Sequence, residues 1–186
     1  MSVLGELQPN KVFKYFEEIC SIPHGSRNLQ QISDYLVDFA KAHELKYRQD
    51  EDLNVIIWKD GSKGYEASEP VILQGHMDMV AVKEADCDKD MEKEGLDLEI
   101  NGDYISAKGT SLGGDDGIAV AYTLAVLDDE EMAHPPIEAI FTVNEEIGML
   151  GAATIDVSDL KGRLFMNMDS EDEGVFTLSL IHISEP

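Results

Sequence analysis

Cysteine is scarce in this chain, and so are cations. Its two cysteines, Cys20 and Cys87, stand far apart and without C-x-x-C spacing. That rules out a disulfide framework, and the two read as reduced thiols of a cytoplasmic protein. Only 14 Lys and Arg face 38 Asp and Glu, a formal charge of −24. So large an acidic surplus argues against nucleic acid or an anionic membrane as a partner. No apolar run approaches the about 20 residues of a membrane-crossing helix. The opening MSVLGELQPNKVFKYF has no basic stretch ahead of an apolar one, so no secretory signal is expected. Internal repeats and low-complexity linkers are missing too.

What is present suits one domain with a real core: 186 residues, 43% of them hydrophobic. Pro9 to Ser21 carries Val12, Phe13, Phe16, Ile19 and Cys20 at the helical period, with Asn10 placed to cap it. Ile22 to Ser26 breaks that helix. A second runs from about Asn28 to His43, burying Ile32, Leu36, Phe39 and Ala40. Lys46 to Arg48, Asn54 to Trp58, Ile137 to Val143 and Arg163 to Met168 read as strands. Val71 to Gly75 is almost wholly apolar, the pattern of a strand covered on both faces. Leu96 to Ser106 suggests a hairpin turning at Asn101-Gly102. The apolar helix after GTSLGGDDG ends at the acidic run 128–131, and Gly148 to Thr154 forms a shorter one. Strands alternating with helices predict an α/β sandwich with a mixed, partly parallel sheet flanked by helices.

Four stretches carry the chemistry. The strand VILQG runs into His76-Met77-Asp78, whose imidazole and carboxylate, two residues apart on extended backbone, point to one side. Such a pair suits a metal-bound histidine steadied by an acid, or a catalytic dyad; a histidine merely satisfied at a strand end is the plain alternative. Gly113 to Gly117 places Asp115 and Asp116 at a helix start, IEAIFTVN runs into Glu145-Glu146, and RLFMNMD ends on Asp169, followed by Ser170 and Glu171. Acids favour helix N-termini and strand ends are often polar, so each alone has a dull explanation. Together they gather at the carboxyl ends of strands, where open α/β sheets bind ligands. Hydrolysis by two metal ions needs such a set: a bridging carboxylate, terminal His, Asp or Glu ligands, and a free acid that moves protons. Adjacent Glu145 and Glu146, facing opposite ways on an extended chain, supply one ligand and one free acid. Asp86, Asp88 and Asp90 mimic the start of a calcium loop. Met91 at the glycine position and Asp97 at the glutamate position argue instead for a solvated acidic loop.

GHMDMV, GDDG, NEEIG and NMDSE, in this order and preceded by SIPHGS, closely resemble the co-catalytic zinc peptidases, in particular their aminoacyl-histidine dipeptidase (cytosolic non-specific dipeptidase) branch. The resemblance spans roughly residues 5 to 178. It implies a cytoplasmic zinc dipeptidase acting on Xaa-His and other dipeptides, homodimeric in its complete form, with two Zn2+ per site that Co2+ or Mn2+ could replace. Transferred by motif, His76 is a terminal ligand of the first zinc and Asp78 orients it. Asp115 bridges the two ions, and its peptide bond to Asp116 is cis. Glu145 is the general base, Glu146 a ligand of the second zinc, and Asp169 a ligand of the first.

Members of that branch run much longer, through a lid or dimerisation domain and a returning segment with the second zinc's last histidine. Residues 1–180 are therefore expected to be the N-terminal part of a catalytic domain, and 181–186, within LSLIHISEP, to be a tail foreign to the family. His182 has no family context there, and His24 and His134 are expected to be structural or exposed. Read this way, the chain alone is expected to be inactive. A metal-binding protein without turnover, or a related tripeptidase, carboxypeptidase or deacylase, remains the alternative.

Overall fold

The computed structural model describes residues 2–169. Ser170, Glu171, His182 and the 181–186 tail lie outside the described residues. Helix α1 (Asn10–Cys20) buries Val12, Phe16, Ile19 and Cys20, and α2 (Gln30–Ala42) buries Ile32, Leu36, Phe39 and Ala40, as their periodicity predicts. Asn10 does not cap α1: it is the first helical residue, and its side-chain amide donates to the Gly5 carbonyl.

Five strands form one mixed sheet in the order β1-β2-β6-β3-β7: β1 (Lys46–Gln49), β2 (Val55–Lys59), β3 (Val71–His76), β6 (Ile137–Thr142) and β7 (Leu164–Asn167). β3 runs parallel to β6 on one side and to β7 on the other, whereas β1–β2 and β2–β6 are antiparallel. Three carboxyl ends therefore share one edge, with His76 opposite Thr142 and Gln74 opposite Asn167. β6 is buried at every residue. β7 is exposed at every residue. Among the described residues it is an edge strand paired with β3 alone, and Leu164, Phe165 and Met166 are exposed.

Helix α3 (Gly114–Leu127) packs on β3 and α1, which its nearly all-apolar sequence requires. Its first turn carries Asp115 and Asp116 in non-helical conformations, joined by a cis peptide bond as the motif implies. The short α4 (Leu150–Thr154) follows the Glu145-Glu146 turn. β4 (Leu98–Asn101) and β5 (Tyr104–Ala107) form a separate hairpin. Its Asn101↔Tyr104 pairing puts the turn at Gly102-Asp103, one residue later than the sequence suggests. Gly102 takes the left-handed conformation there, at φ +65°.

Close packing puts α3 directly over the end of β3. A Cβ on Gly75 would stand 2.9 Å from Asp116 Oδ2 and 3.1 Å from the Ala119 Cβ. Only glycine lets the helix that carries Asp115 come this near to the strand that carries His76. Among the described residues, no helix is long and apolar enough to cross a membrane.

Candidate metal centre

At the carboxyl edge of the sheet, His76, Asp115 and Asp169 each offer a ligand atom, and these atoms lie within 4.8 Å of one another. β3 supplies His76, the start of α3 supplies Asp115, and Asp169 is the second residue after β7. The imidazole is buried, while the Asp115 side chain is 73% exposed. His76 Nδ1 lies 2.9 Å from the Asp78 main-chain oxygen and 3.6 Å from its carboxylate, which fixes the N–H on Nδ1. Nε2 lies 3.2 Å from Asp115 Oδ1, and losing its proton there would free a lone pair for a cation. Two donors about 2.0–2.1 Å from a tetrahedral zinc stand about 3.3 Å apart, so the His76–Asp115 pair at 3.2 Å fits a zinc-type ion, with Asp169 within 4.8 Å as a third donor.

Asp78 is the hub beneath the group. It is buried, and its Oδ2 accepts the Ser26 hydroxyl at 2.8 Å. Its Oδ1 accepts the Glu145 amide at 2.9 Å, and the Glu146 amide lies 3.4 Å from Oδ2. The two glutamates do not sit on extended backbone. The chain turns there, the amides of Gly148 and Met149 both donating to the Glu145 carbonyl. Both amides face Asp78 because of that turn, and strand alternation plays no part. Glu145 Oε2 lies 3.9 Å from His76 Nε2. Glu146 is half-buried nearby but outside the three-residue group. Beside Ser26 opens a cavity of about 900 Å³, lined in part by Arg27, Lys83 and Asp90.

Asp116 is not a member of the group, although it belongs to the same motif. It is buried under His76, whose main-chain N–H donates to its Oδ2 at 3.1 Å. His24 and His134 are both buried, each with a ring nitrogen against a nearby carbonyl, so both are structural. Cys20 is buried and Cys87 half-buried, and both are free. The supporting roles of Ser26, Asp116 and Asn144 escape sequence reasoning. The SIPHGS stretch and the GDDG and NEEIG motifs are the only signals that could have pointed to them.

His76 and three carboxyl groups close to it, Asp78, Asp116 and Glu146, are shifted by burial and by one another. Burial disfavours the charged imidazole of His76, but the adjoining Asp78 carboxylate and the charges of Asp116 and Glu145 outweigh it and lift the ring to about 9. Burial pushes Asp116 up to about 7, against the pull of His76. Burial would raise Asp78 as well, yet the imidazole 3.6 Å away and the hydrogen bonds from the Glu145 amide and the Ser26 hydroxyl hold it below the usual carboxylate range. Burial, together with the charges of Asp115, Glu145 and Asp78, raises Glu146 against the pull of His76.

In the metal-free chain the His76 and Asp116 shifts act in one direction. Each group keeps a proton in the fold over a range where the unfolded chain has lost it. Their joint contribution to stability is complete at low pH. It is lost as pH rises, through about 4 to 7 for Asp116 and about 6.5 to 9 for His76. Denaturation in a chelator at pH 6.5 and pH 9 should show the zinc-free chain losing stability across the upper window, and His76→Gln losing less. An equal loss in both would reassign the proton. A divalent ion held through Nε2 would compete with that proton, so its affinity should rise over the same window.

No protein-family model matches the chain. The cytosol non-specific dipeptidase of Escherichia coli (strain K12) is 40% identical over 174 residues, which are 94% of this chain and 36% of that protein. The crystal structure of aminoacylhistidine dipeptidase from Vibrio alginolyticus superposes with a TM-score of 0.89 at 40% identity, covering 92% of this chain and 35% of that one. In sequence and in fold, the chain is similar to one part of these two dipeptidases. It spans about a third of the length of each of these two relatives. A tripeptidase from Staphylococcus aureus, at 23% identity and a TM-score of 0.73, shares the fold.

Proposed function

We propose that this chain carries the metal-binding part of a zinc-dependent dipeptidase. The observation that carries the reading is the convergence of His76, Asp115 and Asp169 ligand atoms within 4.8 Å at one sheet edge. The dipeptidase relatives supply the substrate class, dipeptides, Xaa-His among them. Residues 1–180 are on this reading the N-terminal part of the catalytic domain of a cytoplasmic enzyme that is homodimeric in its longer form.

His76, Asp115 and Asp169 would hold the first zinc, with Asp115 shared and Glu146 serving the second. When bound, the ions supply Lewis acidity, which makes a peptide carbonyl more electrophilic and water more acidic. The chain's own residues do the rest. Asp78 keeps the His76 proton on Nδ1 and holds the ring in place from below. Glu145, a quarter exposed and 3.9 Å from the imidazole, takes a proton from the attacking water on Oε2 and returns it to the leaving amine.

One three-donor group among the described residues makes one good site. For the second ion, Asp115 and Glu146 alone are two carboxylates that repel each other and bind weakly. Zinc titration of the 186-residue chain should therefore give at most one tight zinc, and an alanyl-histidine assay no appreciable turnover. Two tight zincs with turnover would mean that a further residue completes the second site.

A further inference from the structure

The SIPHGS stretch lies outside the set of metal ligands, yet it is stitched to the centre at several points. The Ser26 amide donates to the Met79 carbonyl and the Met79 amide to the His24 carbonyl, both at 3.2 Å. The Ser26 hydroxyl donates to Asp78 Oδ2 at 2.8 Å. The next amide, that of Arg27, donates to Asn144 Oδ1, also at 2.8 Å. Asn144 immediately precedes the two glutamates and takes the left-handed conformation, φ +53°, which turns the chain back toward Asp78. Arg27 is left-handed as well, at φ +71°. Two non-glycine residues in that region, facing each other through one hydrogen bond, mark a junction whose surroundings determine its geometry.

We infer that Ser26 and Asn144 are positioning residues that together pin the Glu145–Glu146 turn to Asp78 and so fix where the two glutamates stand relative to His76. The inference rests on the reading of Glu145 and Glu146 as the working acids. Asp78 Oδ2 has one close donor, the Ser26 hydroxyl, because the Glu146 amide is 3.4 Å away. Without that hydroxyl, a buried carboxylate loses its hold on one oxygen and turns to recover a donor. Oδ1, which holds the Glu145 amide at 2.9 Å, must move with it. Asn144 acts from the other side. Its carbonyl oxygen ties the residue before Glu145 to the backbone beside Ser26, so the turn is fixed at both ends of one short bridge.

The test is an amide NMR comparison of the zinc-free chain with Ser26→Ala, Ser26→Thr and Asn144→Gly. Glycine suits the left-handed backbone at 144 and removes only the acceptor. In Ser26→Ala the Glu145 and Glu146 amide protons should shift upfield or split, while Ser26→Thr restores them. In Asn144→Gly the same two signals should move, together with that of Arg27. Zinc affinity should fall in Ser26→Ala by less than the about 10-fold typical of losing a direct outer partner of a ligand, since Ser26 acts through Asp78, and recover in Ser26→Thr. If either alanine or glycine variant folds with the Glu145 and Glu146 amides unmoved, and only its melting temperature falls, the positioning role is overturned. Should Ser26→Ala not fold, Asn144→Gly decides alone. The expected amide shifts in a chain that takes up no zinc would support the positioning role and remove the metal-dependent reading.

Discussion

Replacing His76 by alanine is expected to abolish tight zinc binding. His76 is the only nitrogen donor in the group, and its two companions are exposed carboxylates. Without the imidazole, Asp115 and Asp169 face each other as like charges in water, a poor zinc site. Losing an outer partner of a metal ligand typically costs about 10–100-fold in affinity, so losing the ligand itself should cost more. The substitution also leaves the buried Asp78 carboxylate without the ring it faces, so the zinc-free variant should be less stable as well. A competition titration against a chelating dye measures the first effect, with His134→Gln as a control that keeps near-normal affinity. A His76→Ala chain that binds zinc within tenfold of the original would place the metal elsewhere.

Glu145→Gln should leave zinc bound and remove most of the turnover. The test belongs in a form of the protein long enough to match its relatives and to hydrolyse alanyl-histidine. A positioned acid–base group contributes about 100-fold or more, and glutamine keeps the shape and the Asp78-bound amide but accepts no proton. Glu146→Gln should behave in the opposite order, losing metal before it loses chemistry in the metal-loaded enzyme. Near-normal turnover by a fully zinc-loaded Glu145→Gln enzyme would take Glu145 out of the mechanism.

Which residues meet was legible in the sequence wherever a regular element delivers them. VILQG and IEAIFT are short apolar runs, so β3 and β6 could be read, and with them the sheet edge where His76 emerges. GDDG could be read as a helix entry because an apolar helix follows it. Features set by tertiary structure could not. β7 resembles a buried strand in composition, but its place at the sheet edge exposes it. Glu145 and Glu146 look like strand continuation. The left-handed Asn144 and the amides drawn to Asp78 make a turn instead, and neither depends on a local apolar pattern. Ser26 bonds Asp78 across 52 residues of sequence, a separation at which no periodicity speaks. Asp116 looks equivalent to Asp115, yet one is buried beneath the His76 backbone and the other faces solvent.

X-ray absorption at the zinc edge of the chain loaded with one equivalent of zinc tests the central claim most directly. The expected spectrum has a shell of nitrogen and oxygen donors at about 2.0–2.1 Å, the multiple scattering of a single imidazole, and no sulfur. A sulfur shell at about 2.3 Å from Cys87 or Cys20, or scattering from two or more imidazoles, would contradict a centre built on His76, Asp115 and Asp169.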